Sequence, residues 1–479
     1  MTSFVVGIDQ GTTATKAYRL GADGEFRQLC SIEHRQIYPR PGWVEHDPRE
    51  LIASIESCLD AAQGASGAGL DNQGETVIAW DADSGEPVCN AIVWQDNRTQ
   101  SFTDRLKAGG AEQMTLQRAG LPLDPYFSAS KLRWILDQVP EAAQLARRGK
   151  LRLGTSDAFF LDRLCGVYAT DVVTASRTSL MNLATGEWDA DLCELFGVPI
   201  EMLPPIRSTF GEFGIAGRSR IPVVAGIVDQ QAALFGHGCL DAGQTKITFG
   251  TGAFALAVTG DHPAGGTQGG MLPTLAWKLG PRATYAIDGG VYNASSALDW
   301  TRRLGLFEAY GEIAHFDGPS ALERGLVFVP ALSGLACPYW DRSASGMWLG
   351  MGLETSRLDM VRAVLEGVAL RSAQAVAAMN ACIPLADTIS IDSGLSRNRY
   401  FGEFLARALG RTVIVPSAPD ITGLGICRLA YVGAGLGALG SLPPSPAPER
   451  AITPELALPE ELHARFGDAV QRARGWRND

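Results

Sequence analysis

A chain of 479 residues with 46% hydrophobic and 19% charged residues has the composition of an ordinary globular protein of about two to three domains. Its formal net charge of -11, with no block of Lys or Arg, argues against a nucleic-acid partner and for small-molecule chemistry. The nine cysteines lie scattered from Cys30 to Cys427 without a C-x-x-C pair and read as reduced thiols; with no export signal and no bilayer-length apolar run, a cytoplasmic protein away from membranes is expected.

The first element is "VVGIDQGTTATKAYRL", residues 5 to 20. Val5, Val6 and Ile8 predict a buried strand that delivers a carboxylate, Asp9, and then Gly11, Thr12, Thr13 and Lys16. A turn alone accounts for Asp and Gly. The two hydroxyls and the lysine add phosphate chemistry, because glycine permits close backbone approach, Thr12, Thr13 and Lys16 are donors, and a Mg²⁺ travelling with a phosphate wants a carboxylate oxygen such as that of Asp9. The stretch is neither a Walker A loop nor a G-x-G-x-x-G fingerprint.

Further along, "ETVIAW" and "NAIVWQ" predict strands and "SKLRWILDQV" a helix, an alternation that favours α/β layers. In "PVVAGIVDQQAALFGHG" an apolar strand runs into Asp229, Gln230 and Gln231 before a helical pattern. Asp229 is there either a helix cap or a base that takes a hydroxyl proton beside an orienting amide. "GHGCLDAG", 236 to 243, reads as a junction between halves. The second half opens on "TKITFGTGAFALAV", which repeats the strand, glycine and threonine pattern at Gly250, Thr251 and Gly252 and hints at a duplicated architecture. "LDMVRAVLEGVALRSAQAVAAM" and "YFGEFLARALG" predict helices, and the Pro-rich stretch from residue 441 a loose tail tied down by a short final helix. The expected domains are 1–243, 244–440 and this tail, 441–479.

The motifs "YFSASKLRWILDQ" (126 to 138), "GMWLGMGLETSRLDMVRAVLE" (346 to 366), "RPGWVEHDP", "NAIVWQDNRT", "DPYFS", "TASRT", "DQQAALFG", "GQTKITFGTG" and "PYWD" together resemble the FGGY carbohydrate kinases, and within them the glycerol kinases, in the family's order and over nearly the whole chain. The resemblance implies an α/β protein of actin-like ATPase (ribonuclease H-like) fold, two domains with a central cleft that binds ATP, Mg²⁺ and a small polyol or sugar. It implies that Asp9 sits near the Mg²⁺, that Thr12, Thr13, Lys16, Thr251 and Gly252 lie at the ATP phosphates, and that Gly394 and Asn398 lie at the adenosine. Asp229 matches the catalytic base, Gln230 a substrate contact, and Glu75, Trp94 and Tyr126 the polyol pocket. A homo-oligomer, dimer or tetramer, carries over by analogy only.

Departures from the family pattern bear on the substrate. Gly74 stands where glycerol kinases have an arginine, a loss of roughly 1.5 to 3 kcal/mol of hydrogen bonding unless another arginine reaches in. Empty volume at Gly74 would admit a longer acceptor, so erythritol and pentitols compete with glycerol, and xylulose-type or ribulose-type ketopentose kinases are the alternative. On the nucleotide side, Ser393 replaces a family glycine and is expected to crowd the adenine or strain φ, while Asp420 replaces a glutamate. Lys16 replaces the usual arginine, keeping charge but losing the planar fork. A non-catalytic ATP-binding sensor on the same scaffold is the reading from another class, and the pocket of Glu75, Trp94 and Tyr126 beside Asp229 counts against it.

Overall fold

The computed structural model describes residues 3–265, 270–444 and 447–477. Two mixed sheets organise the chain. In the first, Phe4–Gln10, Ala14–Gly21 and Phe26–Glu33 form an antiparallel meander, and Ala68–Asn72 and Pro222–Val228 continue it in parallel beyond Phe4–Gln10, with Phe210–Ile215 antiparallel at the edge. Val5, Val6 and Ile8 are buried on both faces of the sheet, which is why the strand reads as a near-continuous apolar run.

The second sheet repeats this ladder. Thr245–Phe249 and Ala253–Gly260 form the hairpin, Arg282–Val291 extends it, and Thr388–Asp392 and Thr412–Val415 run parallel on the other side. Leu272–Leu279 adds one strand at the far edge. The opposite edge is closed by Arg450–Ile452, antiparallel to Thr412–Val415, in the place Phe210–Ile215 takes in the first sheet. The stretch from 441 therefore differs from a loose tail: its strand completes a sheet, and the helix Glu460–Ala473 buries Phe466, Ala469, Val470 and Ala473 in the second core. Residues 445–446 and 478–479 of that stretch lie outside the described residues.

One helix crosses over. Ile421–Gly433, late in the sequence, packs on the first sheet, where Leu424, Cys427, Ala430 and Tyr431 share a core with Val5, Tyr18 and Leu20. It also lies against Asp229–Gly236 so closely that a Cβ on Gly425 would fall 1.8 Å from the carbonyl oxygen of Ala232. Only a glycine permits that approach. The contact joins the C-terminal end of Asp229–Gly236 to the first turn of Ile421–Gly433: a Cβ on Gly236 would fall 2.1 Å from the Ile421 carbonyl oxygen. A four-stranded sheet containing Val77–Asp81, Ala91–Ile92 and Leu151–Thr155 stands beside the first domain and carries the loop with Trp94.

Candidate active site

The C-terminal ends of the central strands converge on the cleft and bring their terminal carboxylates with them. Asp9 ends the first strand of the first sheet, Asp71 lies beside it on the parallel neighbour, Asp229 follows Pro222–Val228, and Asp392 ends its strand in the second sheet. Two cavities are each lined by residues of both halves. One of about 540 Å³ is lined by Asp9, Lys16 and Asp229 from the first half and by Asp392, Ser393 and Asp420 from the second. The other, about 430 Å³, is lined by Trp94, Tyr126, Arg177, Thr251, Phe254 and Asp288 among others.

In the first cavity the Lys16 ammonium donates to Asp420 at 2.9 Å and lies 3.9 Å from Asp9. Asp420 also accepts from the Tyr18 hydroxyl at 2.8 Å and caps the crossing helix through the Gly423 N–H at 2.9 Å. Burial pushes the Asp9 carboxyl up to about 7, with Asp420 and Asp229 adding to the rise and Lys16 opposing it. Asp71 is fully buried, neither of its oxygens is hydrogen-bonded among the described residues, and burial followed by Asp9 and Asp229 holds it well above the usual carboxylate range.

These are hard oxygen donors of the type Mg²⁺ takes, and an acidic site raised by its own crowding is relieved by a cation. No group of three or more ligating side chains that could hold a metal is present among the described residues. Mg²⁺ commonly keeps several of its waters and is bound through one or two carboxylates together with substrate phosphates. Lys16 lines the same cavity, and the Gly11 turn is closed by the Gly11 N–H to Ala14 carbonyl bond of 3.1 Å.

Asp229 opens the helix Asp229–Gly236; Val228 is the capping residue. The carboxylate accepts from the Gln230 N–H at 2.6 Å, and burial followed by Glu75 pushes it up to about 7, against the N–H of Gln230, Lys246 and Arg177. It lines the first cavity, and of the charges that act on it Arg177 lines the second. Gln230 is held by the Lys246 ammonium at 2.6 Å, which also reaches Thr248 at 2.9 Å.

The second cavity is aromatic. Trp94 and Tyr126 meet edge to face at 5.7 Å, and the Trp94 indole donates to the Thr12 hydroxyl at 3.0 Å. Glu75 lies behind them, buried, with φ +57, a left-handed backbone that costs a non-glycine residue about 1–3 kcal/mol. The Ser128 hydroxyl bond to its carbonyl and the Arg177 pair at 2.8 Å hold it there. Gly74 leaves less room than expected of it: a Cβ there would stand 3.0 Å from a Val228 methyl, which would have to give by a few tenths of an ångström.

Thr251 and Gly252 line the second cavity, the glycine because a Cβ would fall 2.8 Å from the Val291 carbonyl. The Thr13 carbonyl accepts from the His34 N–H. Ser393, Ser396 and Arg397 wall the first cavity, whereas Gly394 and Asn398 do not. The Asn398 amide caps Arg399–Leu409 through the Phe401 N–H and donates to the Ile313 carbonyl, so it serves the fold. Ser393 takes φ +71 and ψ -172, the strain expected of a side chain at a glycine position.

Sequence reasoning gave no role to Asp71, Arg177, Phe254, Asp288 or Lys246. Asp71 had a signal, an acid at a strand end like Asp9. Arg177 sat inside "TASRT" with nothing local to mark it. All nine cysteines are free, and no helix among the described residues is long and apolar enough to cross a membrane.

The profile of the FGGY family of carbohydrate kinases matches in two parts, its N-terminal domain over residues 4–236 and its C-terminal domain over 245–434. Glycerol kinase of Citrifermentans bemidjiense is 39% identical over 99% of each chain. Glycerol kinase of Thermus brockianus is likewise 39% identical over 99% of each. Among solved structures, Plasmodium falciparum glycerol kinase with ADP superposes with a TM-score of 0.90 at 28% identity, covering 98% of both chains. A ligand-bound xylulose kinase of Lactobacillus acidophilus has a TM-score of 0.85 at 20% identity over 98% of this chain and 97% of its own, a likeness of fold.

Proposed function

Since the chain belongs to the FGGY family of carbohydrate kinases, we propose that it moves the γ-phosphoryl group of MgATP to a hydroxyl of a small polyol, glycerol or a four- to five-carbon polyol such as erythritol. The observation that carries this reading is Asp229, a buried carboxylate that lines the first cavity and lies within the field of Arg177, which lines the second. A nucleotide in the first and an acceptor in the second would meet at that carboxylate. In this reading Thr12, Thr13 and Lys16 serve the phosphates from the first half, Thr251 and Gly252, in the wall of the second cavity, meet the phosphoryl group where it reaches the acceptor, Asp9 serves the metal, and Gln230, Trp94 and Tyr126 the acceptor.

The division of labour follows from the charges. Mg²⁺ on the phosphate chain offsets the charge of the phosphoryl oxygens, and Lys16 adds a second cation from the protein. Asp229, held near neutrality by burial, takes the acceptor proton as the hydroxyl oxygen attacks phosphorus, a contribution of typically 10² to 10⁴-fold. The Gln230 amide, fixed by Lys246, orients a second oxygen of the acceptor. Closure of the two halves would exclude water, the competing acceptor.

A cavity of about 430 Å³ is in the range of small-ligand pockets and exceeds what a triol fills, which keeps ketopentoses in contention. The test is ADP release with MgATP and a panel of glycerol, erythritol, pentitols, xylulose and ribulose. A polyol should stimulate release well above water. Stimulation by xylulose or ribulose alone would replace the polyol reading, and stimulation by none would favour the ATP-binding sensor.

A further inference from the structure

Resting on that kinase reading, we propose that Arg177 is the acceptor-selecting residue of this chain: its free Nη1 donates to an acceptor oxygen, and the acceptor so selected is an uncharged polyhydroxy compound. Arg177 directly follows the short helix Val172–Ser176 and is 4% exposed. Its Nε donates to Glu75 at 2.8 Å and its Nη2 to Asp288 at 3.1 Å, while the guanidinium carbon lies 5.5 Å from the Phe127 ring centre. Nη1 is buried and has no partner among the described residues.

A buried guanidinium N–H left unpaired is costly, and the group lines the cavity that also contains Trp94 and Tyr126. With Nε tied to Glu75 and Nη2 to Asp288, the guanidinium plane is fixed, and Nη1 is the corner of the fork left for a further oxygen. One tie comes from the first half of the chain and the other from the strand Arg282–Val291, so both walls set its position. No guanidinium comes from residue 74, which is a glycine.

The same ties decide the charge of the ligand. Two carboxylates already match the guanidinium, and Asp229 adds a third acid within the field of the group. Arg342, the second guanidinium in the lining, is matched in the same way by Asp124 at 3.1 Å, so an anionic acceptor gains no net attraction and meets Glu75, Asp288 and Asp229. A hydroxyl or carbonyl oxygen needs only the spare N–H.

The experiment measures steady-state phosphorylation of glycerol, erythritol, 1,2-propanediol, 1,3-propanediol, glycerate and gluconate by the full chain and by Arg177→Lys, with thermal melting as the check on folding. Wild type should prefer glycerol over at least one propanediol, and over glycerate and gluconate, by about ten- to a hundredfold in kcat/KM. Arg177→Lys should raise the KM of the triol and tetritol by a similar factor, leave the KM of ATP within about twofold, and lose the preference between glycerol and that diol. Loss of the same factor for every acceptor, or an unchanged glycerol KM in a folded variant, overturns the inference and leaves the kinase reading standing. Should the variant fail to fold, the wild-type series still decides: equal use of both diols, or of glycerate, overturns it. ADP release by wild type that no acceptor stimulates removes the kinase reading and the inference with it.

Discussion

The Trp94 indole N–H donates to the Thr12 hydroxyl across 3.0 Å, joining a wall of the acceptor pocket to the turn of the phosphate hairpin. In the proposed reading this bond makes one unit of a side chain assigned to the acceptor and one assigned to the nucleotide. Trp94→Phe keeps the ring and drops the donor, and Thr12→Val drops the partner. Each alone should cost about 0.5–1.5 kcal/mol in kcat/KM for the acceptor, and the double variant no more than the worse single. A kinetic double-mutant cycle with additive losses would show that the two residues act separately.

Asp229 sets the pH dependence. Its carboxyl, pushed up to about 7 by burial and then Glu75, is ready to take a proton only above that value, so kcat/KM should rise with pH through about 7. Asp229→Asn should retain ATP binding and lose about 10² to 10⁴-fold in kcat. For stability the sign is opposite. Asp9 and Asp229 have folded values raised from 3.8 to about 7, so the folded state binds more protons than the unfolded one across that interval. Their contribution is complete below 3.8 and is lost as pH rises through about 7. Melting in chelator at pH 8 should therefore place Asp229→Asn above wild type; a lower melting temperature would mean that the ionised carboxylate is better satisfied than its surroundings indicate.

What the sequence made legible was local. Val5, Val6 and Ile8 ending in Asp9, and Thr245–Phe249 ending in the Gly250 turn, are strand-and-turn patterns whose hairpins need no distant information. Asp229 was readable because strand, acid and helix succeed one another along the chain. The crossing of Ile421–Gly433 onto the first sheet was not, since its apolar face looks the same whichever sheet it covers. The edge strand Arg450–Ile452 is only three residues long beside prolines, too short for any period to show. Arg177 and Lys246 are charged residues whose burial depends on carboxylates 102 or more positions away in one case and on a glutamine from the other half in the other.

Ser393 is a place where the backbone disagrees with the residue. At φ +71 and ψ -172 a side chain costs about 1–3 kcal/mol that glycine does not incur. Ser393→Gly should raise stability by about 1 kcal/mol in urea denaturation, the gain being reduced by glycine's looser unfolded chain. Calorimetric ATP affinity should stay within about threefold, because Ser393 accepts the Ser396 bonds through its carbonyl and not through its hydroxyl. A destabilised variant would show that the hydroxyl holds the loop.

Lys246 supplies the last and most discriminating expectation. Its ammonium is fully buried, burial lowers its pKa, and Asp392, Asp229 and Asp288 pull it back up. It faces the cleft from a strand of the second sheet and holds Gln230, on the helix that Asp229 opens. Removing the charge in Lys246→Met takes away one of the groups that keep Asp229 from rising further, so the acid limb of the pH profile of kcat/KM should move above about 7. The released Gln230 should also raise the acceptor KM by up to about tenfold. Lys246→Arg, which keeps the charge, should leave the acid limb in place even if it overfills the site. A role confined to packing would lower kcat at every pH in both variants and leave the limb where it was, and that outcome would remove Lys246 from the electrostatics of the base.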